Sequence, residues 1–400
     1  MESTHCPSLA LRTLLVVCAL AVVSLLYLPL PILPQLARAY GMGATAAAGV
    51  VSAFGFAYAL GFLIFGPLSD RLGRRKVMVW GLSALALVTA LLALVELPAS
   101  WLLAGRALQG LAAASFPPVA IAYLAERGSA RQRVWSVAWM STAFLSAGLL
   151  GQIYGGEVAG RRGLGAALLP LCAIYAATAW RLLATPAESP PLRSGVPSPL
   201  AGYRAIGQLL SNPKLRRVYG PALLLLMCFV AFYMGVDMHL GQALRARGMT
   251  PLAVRALALP AFLAPLAVAA VMPRWGTERV VMAGLFVATA GLALGALAAG
   301  GAHVHGLLAA SVVFVAGIGI SVPGLIARVA SVADAPVRGL AVAFYTFVLF
   351  VGASLGPWLA QQSARLSMQS ALLVLAALQG GAALYAASGR KDQRPAVADS

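Results

Sequence analysis

Two charged residues, Arg106 and Asp237, lie inside long apolar stretches of this sequence. A charge in such a stretch is costly, which makes each residue a functional candidate. Arg106 is suited to hold a substrate anion or to tune a nearby carboxyl group, and Asp237 to lose and regain a proton. Two simpler interpretations stay open. Arg106 lies close enough to a helix end to snorkel towards the interface, and Asp237 can mark the outer end of its helix.

The composition shows which solvent surrounds these residues. Hydrophobic residues make up 61% of the 400, and Asp, Glu, Lys and Arg only 10%, whereas a soluble domain carries about 25% charged residues. The net charge of +18 comes from short basic runs between apolar stretches, without the basic and aromatic face of a nucleic-acid binder. The sequence therefore predicts a protein in a lipid bilayer and no nucleic-acid partner.

The apolar stretches have the length of membrane-spanning helices, which need about 20 apolar residues each. They predict an all-α membrane protein with twelve transmembrane helices. Most Lys and Arg residues fall in the connections on one side, which places both termini in the cytoplasm. The predicted spans are 13–34, 45–68, 77–95, 101–124, 134–156, 164–183, 218–240, 252–273, 280–300, 306–327, 339–360 and 368–388.

One polar connection is much longer than the others. Residues 184–216 are rich in proline and arginine, a composition typical of linkers. The sequence therefore predicts an N-terminal six-helix bundle over 1–183, a cytoplasmic linker over 184–216, and a C-terminal six-helix bundle with a short cytoplasmic tail over 217–400.

The two predicted bundles repeat the same spacings. Gly81 follows Gly73 by eight residues after the second helix, and Gly284 follows Gly276 by eight after the eighth. Such self-similarity indicates an internal duplication. A duplicated six-helix unit is expected to place a cavity between its halves, near the bilayer midplane.

The loop 66–76, GPLSDRLGRRK, closely resembles the signature loop of the major facilitator superfamily. In that superfamily the loop is thought to latch the inward side against the eleventh helix, which would begin here near Arg338. The alternative is that its basic run only sets topology. The latch residues implied by the resemblance are Gly66, Asp70, Arg71, Gly73, Arg74 and Arg75.

Two further segments are similar to drug/proton antiporters of the superfamily. The sequence from Arg106 to Gly110 resembles their fourth-helix motif, which adds Gln109 to Arg106 and Asp237 as candidates for substrate binding or proton coupling. The fifth helix partly resembles their glycine-rich motif, with glutamine where that motif has proline, and a plain packing surface is the alternative. The residues of this partial motif are Gly148, Gly151, Gln152, Gly155 and Gly156.

The resemblance implies two pseudo-symmetric bundles that work by alternating access in the inner (plasma) membrane. It favours proton-coupled efflux of small amphiphilic compounds, with import of a small organic anion or metabolite as the alternative. The first helix carries no acid, so sodium coupling and facilitated flux also stay open. No enzyme or phosphate-binding motif is present. We therefore expect a monomeric transporter without metal or cofactor, whose partners are the solute, the proton and lipid.

Overall fold

The structure, a computed structural model, describes residues 7–95, 98–185, 206–301, 303–334 and 337–388. These residues form helices and connections without any strand. In these ranges ten helical segments are long and apolar enough to cross a membrane. One of them, Ala130–Leu183, spans 54 residues and contains two helices. A shorter apolar segment covers Leu259–Trp275. The predicted all-α membrane fold is confirmed.

The chain forms two compact units. The first takes in Met1–Arg204 and Asp334–Phe347, and the second takes in Ala205–Ala333 and Val348–Ser400. The predicted linker is described only in part, because 186–205 lie outside the described residues, while 206–211 form a short helix, α9.

The first unit is built from paired helices. In it α1 packs on α7 and α8, α3 packs on α5, and α4 packs on α5 and α8. A π-helical turn, Gly155–Ala159, joins α7 to α8. The helices are α1 (Leu9–Tyr27), α2 (Leu33–Ala39), α3 (Ala44–Leu72), α4 (Arg74–Leu94), α5 (Ala99–Ala113), α6 (Pro117–Ala125), α7 (Ala130–Tyr154) and α8 (Gly160–Leu183).

The second unit pairs its helices in a similar way. Here α12 packs on α14, α13 packs on α14 and α16, and α10 packs on α14 and α16. The first ten residues of α15 belong to the first unit and the rest to the second. The helices are α10 (Pro213–Ala246), α11 (Pro251–Ala256), α12 (Ala264–Trp275), α13 (Thr277–Gly300), α14 (Val304–Val332), α15 (Arg338–Gln362) and α16 (Met368–Ala387).

Prolines interrupt three of the segments predicted as continuous spans. The segment 101–124 is broken before Pro117, where α5 ends and α6 begins. The segment 252–273 divides into α11, a 3₁₀ turn over Leu259–Leu263 and α12. The segment 13–34 loses its α-helix after Tyr27, just before a run of prolines. Proline lacks the N–H that continues a helix, so these breaks are local consequences of sequence.

Candidate functional site

The loop between α3 and α4 turns at a single glycine. Gly73 has φ 93° and ψ 144° and separates Leu72 from Arg74. A side chain is strained at this φ, so the position favours glycine. The turn brings Asp70 of α3 and Arg74 of α4, four residues apart in sequence, together as an ion pair.

Asp70 also reaches the start of α15. The backbone N–H of Leu340 donates to Oδ2 of Asp70 at 3.1 Å. The first turn of a helix has unsatisfied N–H groups and a partial positive charge, so a carboxylate there is stabilised. A Cβ added to Gly339 would overlap this carboxylate, and one added to Gly66 would overlap Ala343. The glycines therefore permit the close approach of α3 and α15.

Arg74 connects this contact to the rest of its unit. Its guanidinium donates to Ser69 Oγ at 2.8 Å and to Glu126 Oε1 at 3.2 Å, besides pairing with Asp70. Arg75 instead donates to the carbonyl oxygens of Leu182 and Leu183, both at 2.6 Å, at the end of α8.

The structure thus brings Gly66, Asp70, Gly73 and Arg74 to one contact, whereas Arg75 faces α8. Arg71 follows Asp70 in the sequence and is half-buried. Sequence reasoning missed Glu126 and Gly339. The signal for Glu126 was available, because this acid lies two residues after the fourth predicted span.

Arg106 lies in the interior of the first unit and is 1% exposed. Its Nε donates to the carbonyl of Val50 at 3.1 Å, and Nη2 donates to the carbonyl of Leu25 at 2.8 Å. Its guanidinium carbon also lies 4.5 Å from the centroid of the Phe54 ring. The alternative that Arg106 snorkels to the interface is wrong, because α1 and α3 cover it.

Gln109 extends this network. Arg106 Nη1 donates to Gln109 Oε1 at 2.5 Å, and Gln109 Nε2 donates to Thr89 Oγ1 at 2.8 Å. All the groups that accept hydrogen bonds from Arg106 are therefore neutral oxygens. The arrangement ties α5 to α1, α3 and α4, and no carboxyl group is among these contacts.

The antiporter-like glycines of the fifth predicted helix differ in their surroundings. A Cβ on Gly151 would lie 2.9 Å from the carbonyl oxygen of Ser24, and one on Gly155 would overlap the backbone of Leu28. At Gly148 and Gly156 an added Cβ would make only ordinary contacts. The close packing of α7 on α1 therefore depends on two of the four glycines.

Gln152 stands where the antiporter motif has proline. Its Nε2 donates to the carbonyl of Gly148 at 2.7 Å, within its own helix.

Asp237 faces a basic residue that sequence reasoning did not select. Asp237 Oδ2 lies 4.0 Å from Arg255 Nη2, and the two side chains are 37% and 28% exposed. The guanidinium carbon of Arg255 lies 5.8 Å from the centroid of the Tyr233 ring. Arg255 is a charge in an apolar segment, as Arg106 is, so the same argument would have found it. This loosely spaced pair is the candidate coupling site.

The chain resembles known membrane transporters over part of its length. It is 38% identical over 109 residues to the inner membrane transport protein YnfM of Escherichia coli K12, a match that covers 27% of this chain and 25% of that protein. It is 31% identical over 138 residues to the uncharacterized MFS-type transporter YybF of Bacillus subtilis 168, which covers 34% of this chain and 33% of that protein. The aligned parts thus span a quarter to a third of these relatives.

Solved structures share the fold over nearly the whole chain. The human organic anion transporter MFSD10 (TETRAN) gives a TM-score of 0.71 at 19% identity, covering 94% of this chain and 98% of that one. The proton:xylose symporter XylE gives a TM-score of 0.74 at 15% identity, covering 95% of each chain. A sequence profile described as Major Facilitator Superfamily matches residues 15–357. The chain therefore belongs to the Major Facilitator Superfamily of membrane transporters.

Proposed function

We propose that this secondary transporter couples solute movement to protons at Asp237, and that it exports small amphiphilic compounds. It would work by alternating access in the inner (plasma) membrane, with both termini cytoplasmic. The observation that carries the proposal is the placement of Asp237. It lies within the apolar helix α10, nine residues before the helix ends at Ala246, with its carboxylate opposite Arg255.

This pair offers two states that differ by one proton. The ionised carboxylate attracts the guanidinium, whereas the neutral acid does not. The separation of 4.0 Å between Asp237 Oδ2 and Arg255 Nη2 exceeds the usual length of a charge-assisted hydrogen bond. The two side chains are therefore not joined by a short hydrogen bond at this distance. The likeness of Arg106, Gln109 and the α7 glycines to antiporter motifs supports export as the direction.

Inside-out membrane vesicles provide the test. Their lumen is acidified by respiration, and a panel of fluorescent amphiphiles of both charges is offered outside. We expect expressing vesicles to accumulate at least one compound, and a proton ionophore to abolish the accumulation. Asp237→Asn should abolish gradient-driven accumulation while solute exchange without a gradient persists.

Glu157→Gln is the matched control, because Glu157 is an exposed acid that pairs with Arg161 at 2.6 Å. It should behave as the unmodified protein. Accumulation that survives both the ionophore and Asp237→Asn would refute coupling at Asp237.

Import of a small organic anion is the second candidate, and Arg255 is the observation that favours it. When Asp237 takes up a proton, the guanidinium of Arg255 gains attraction for another anion, so proton and anion would bind together. Binding of the proton and the anion together leads to symport. Export by exchange instead requires that the proton and the solute compete for the site. Solute uptake into right-side-out vesicles from an acidic medium would support symport, and its absence would reject this candidate.

A further inference from the structure

Both ring nitrogens of His239 face backbone carbonyl oxygens. Nδ1 lies 2.9 Å from the carbonyl oxygen of Gly235, one turn earlier in α10. Nε2 lies 3.0 Å from the carbonyl oxygen of Leu366. Leu366 follows the 3₁₀ turn Ser363–Arg365 and stands just before α16. The imidazole thus bridges α10 and the connection that leads into α16.

The chemistry of the partners defines the charge that fits this position. A carbonyl oxygen only accepts hydrogen bonds, and a neutral imidazole donates from one nitrogen only. The imidazolium donates from both. With a neutral ring, one nitrogen lone pair would face an oxygen at about 3 Å, and one contact would be lost. The geometry therefore fits the protonated ring.

We propose that His239 is a protonation-dependent positioning residue. The charged ring donates to both Gly235 and Leu366 and holds α10 to the 363–366 turn, whereas the neutral ring keeps only one of the two hydrogen bonds and holds the turn less firmly. This adds a second proton site two residues from Asp237. The proposal is independent of where the transport proton binds, because it concerns a contact within one unit of the structure.

Several charged groups of the described residues lie on or beside the elements of this contact, and Arg245 lies six residues further along α10. Asp237 on the same helix faces Arg255 of α11, and Arg365 lies in the turn itself. The sequence of α16 carries no charged residue, and that of α14 carries His305 and Arg328 towards its two ends. Histidine is the side chain that ordinarily changes charge between pH 5 and 8, and the experiment therefore compares pH values across that range.

Hydrogen exchange of the whole protein in lipid nanodiscs tests the proposal. Amide protection over 363–370, corrected for intrinsic exchange, should fall about tenfold between pH 5.5 and 8, the effect of losing one hydrogen bond from a charged donor. His239→Arg keeps a charged donor at every pH and should keep the protection high throughout. His239→Gln should be weakly protected at both pH values. His305→Gln is the control, and its amide protection over 363–370 should depend on pH as that of the unmodified protein does.

The ring nitrogen chemical shifts of protein labelled with ¹⁵N-histidine report the protonation state of the unmodified protein directly. A His239 variant is needed only to assign the resonances. We expect the His239 resonances at pH 5.5 to be those of an imidazolium, and to change to a neutral ring in step with the loss of protection. A neutral ring at pH 5.5, or protection over 363–370 that stays constant from pH 5.5 to 8, would overturn the proposal.

Discussion

At the residue scale, Arg106 shows how this protein holds a charge inside its helices. Burying an isolated ion is costly unless polar groups surround it. Here the carbonyls of Leu25 and Val50 and the amide oxygen of Gln109 accept its N–H groups. Because these acceptors come from different helices, the guanidinium fixes α1 and α3 against α5.

Arg106→Lys should therefore destabilise the protein although it keeps the charge. An ammonium group on a flexible stem cannot reproduce three hydrogen bonds directed by a planar fork. We expect the free energy of unfolding to fall by roughly 3 kcal/mol, since a hydrogen bond to a charged group contributes about 1.5–3 kcal/mol. Denaturation in mixed micelles measures it.

Arg162→Lys is the control for this substitution, because Arg162 is exposed. It should change the unfolding free energy by less than about 0.5 kcal/mol. Equal effects of the two substitutions on the unfolding free energy would show that the hydrogen bonds of Arg106 do not stabilise the packing of α1 and α3 on α5.

The contact of Asp70 with α15 allows a second prediction at this scale. Asp70→Asn keeps an oxygen acceptor for the N–H of Leu340 but removes the charge that attracts Arg74 and the helix end. We expect transport to fall about tenfold or more with expression near normal, because a weakened contact changes the balance between transport states. Transport at the full rate, measured in the vesicle assay, would refute the latch.

At the element scale, the internal repeat has a packing reason. A Cβ on Gly81 of α4 would overlap Ser115, and a Cβ on Gly284 of α13 would lie 2.5 Å from Ser321 Oγ and 2.6 Å from its backbone nitrogen. Within the first unit, Gly81 of α4 packs against Ser115 in the connection between α5 and α6, and within the second unit Gly284 of α13 packs against Ser321 of α14. The spacing seen in the sequence reflects this shared contact.

Gly284→Ala should accordingly destabilise the second unit. A backbone nitrogen cannot move aside as a flexible side chain can, so the helices must separate slightly. We expect a loss of about 1–3 kcal/mol, the range typical of overpacked cores. Thermal unfolding in detergent measures it.

Gly381→Ala in α16 is the matched control, because an added Cβ there meets nothing within 4 Å. Alanine is the better helix former, by about 1 kcal/mol, so this variant should be as stable as the unmodified protein or more so. Unchanged stability of Gly284→Ala would contradict the packing argument.

At the scale of the whole molecule, the sequence predicted the helical fold because apolar length is a direct physical requirement of the bilayer. It also located Asp70 and Arg74, since a loop motif is contiguous in sequence. It did not predict the contacts of Arg106 with the carbonyls of Leu25 and Val50, or the pairing of Asp237 with Arg255. These contacts join residues far apart in the chain or on separate helices, and their geometry depends on packing that periodicity does not encode.

The prolines in the sequence could have indicated where these helices break, but apolar length alone predicts each segment as one continuous span. Pro117 and Pro118 stand together inside the segment 101–124, and Pro260 and Pro265 inside 252–273. Membrane helices tolerate proline more often than soluble ones, so apolar length outweighed the local signal. In the structure the helix breaks of these two segments lie close to their prolines, whereas Pro67, Pro221 and Pro323 lie inside continuous helices.

Proton movement driven by the solute tests the central claim, coupling at Asp237, most directly. Purified protein is reconstituted in liposomes with a pH-sensitive dye in the lumen, and a transported amphiphile is added outside without any pH gradient. We predict that solute entry changes the luminal pH, towards alkaline for exchange and towards acidic for symport, and that Asp237→Asn gives no change. Solute entry at an unchanged luminal pH, or an equal pH change with Asp237→Asn, would contradict it.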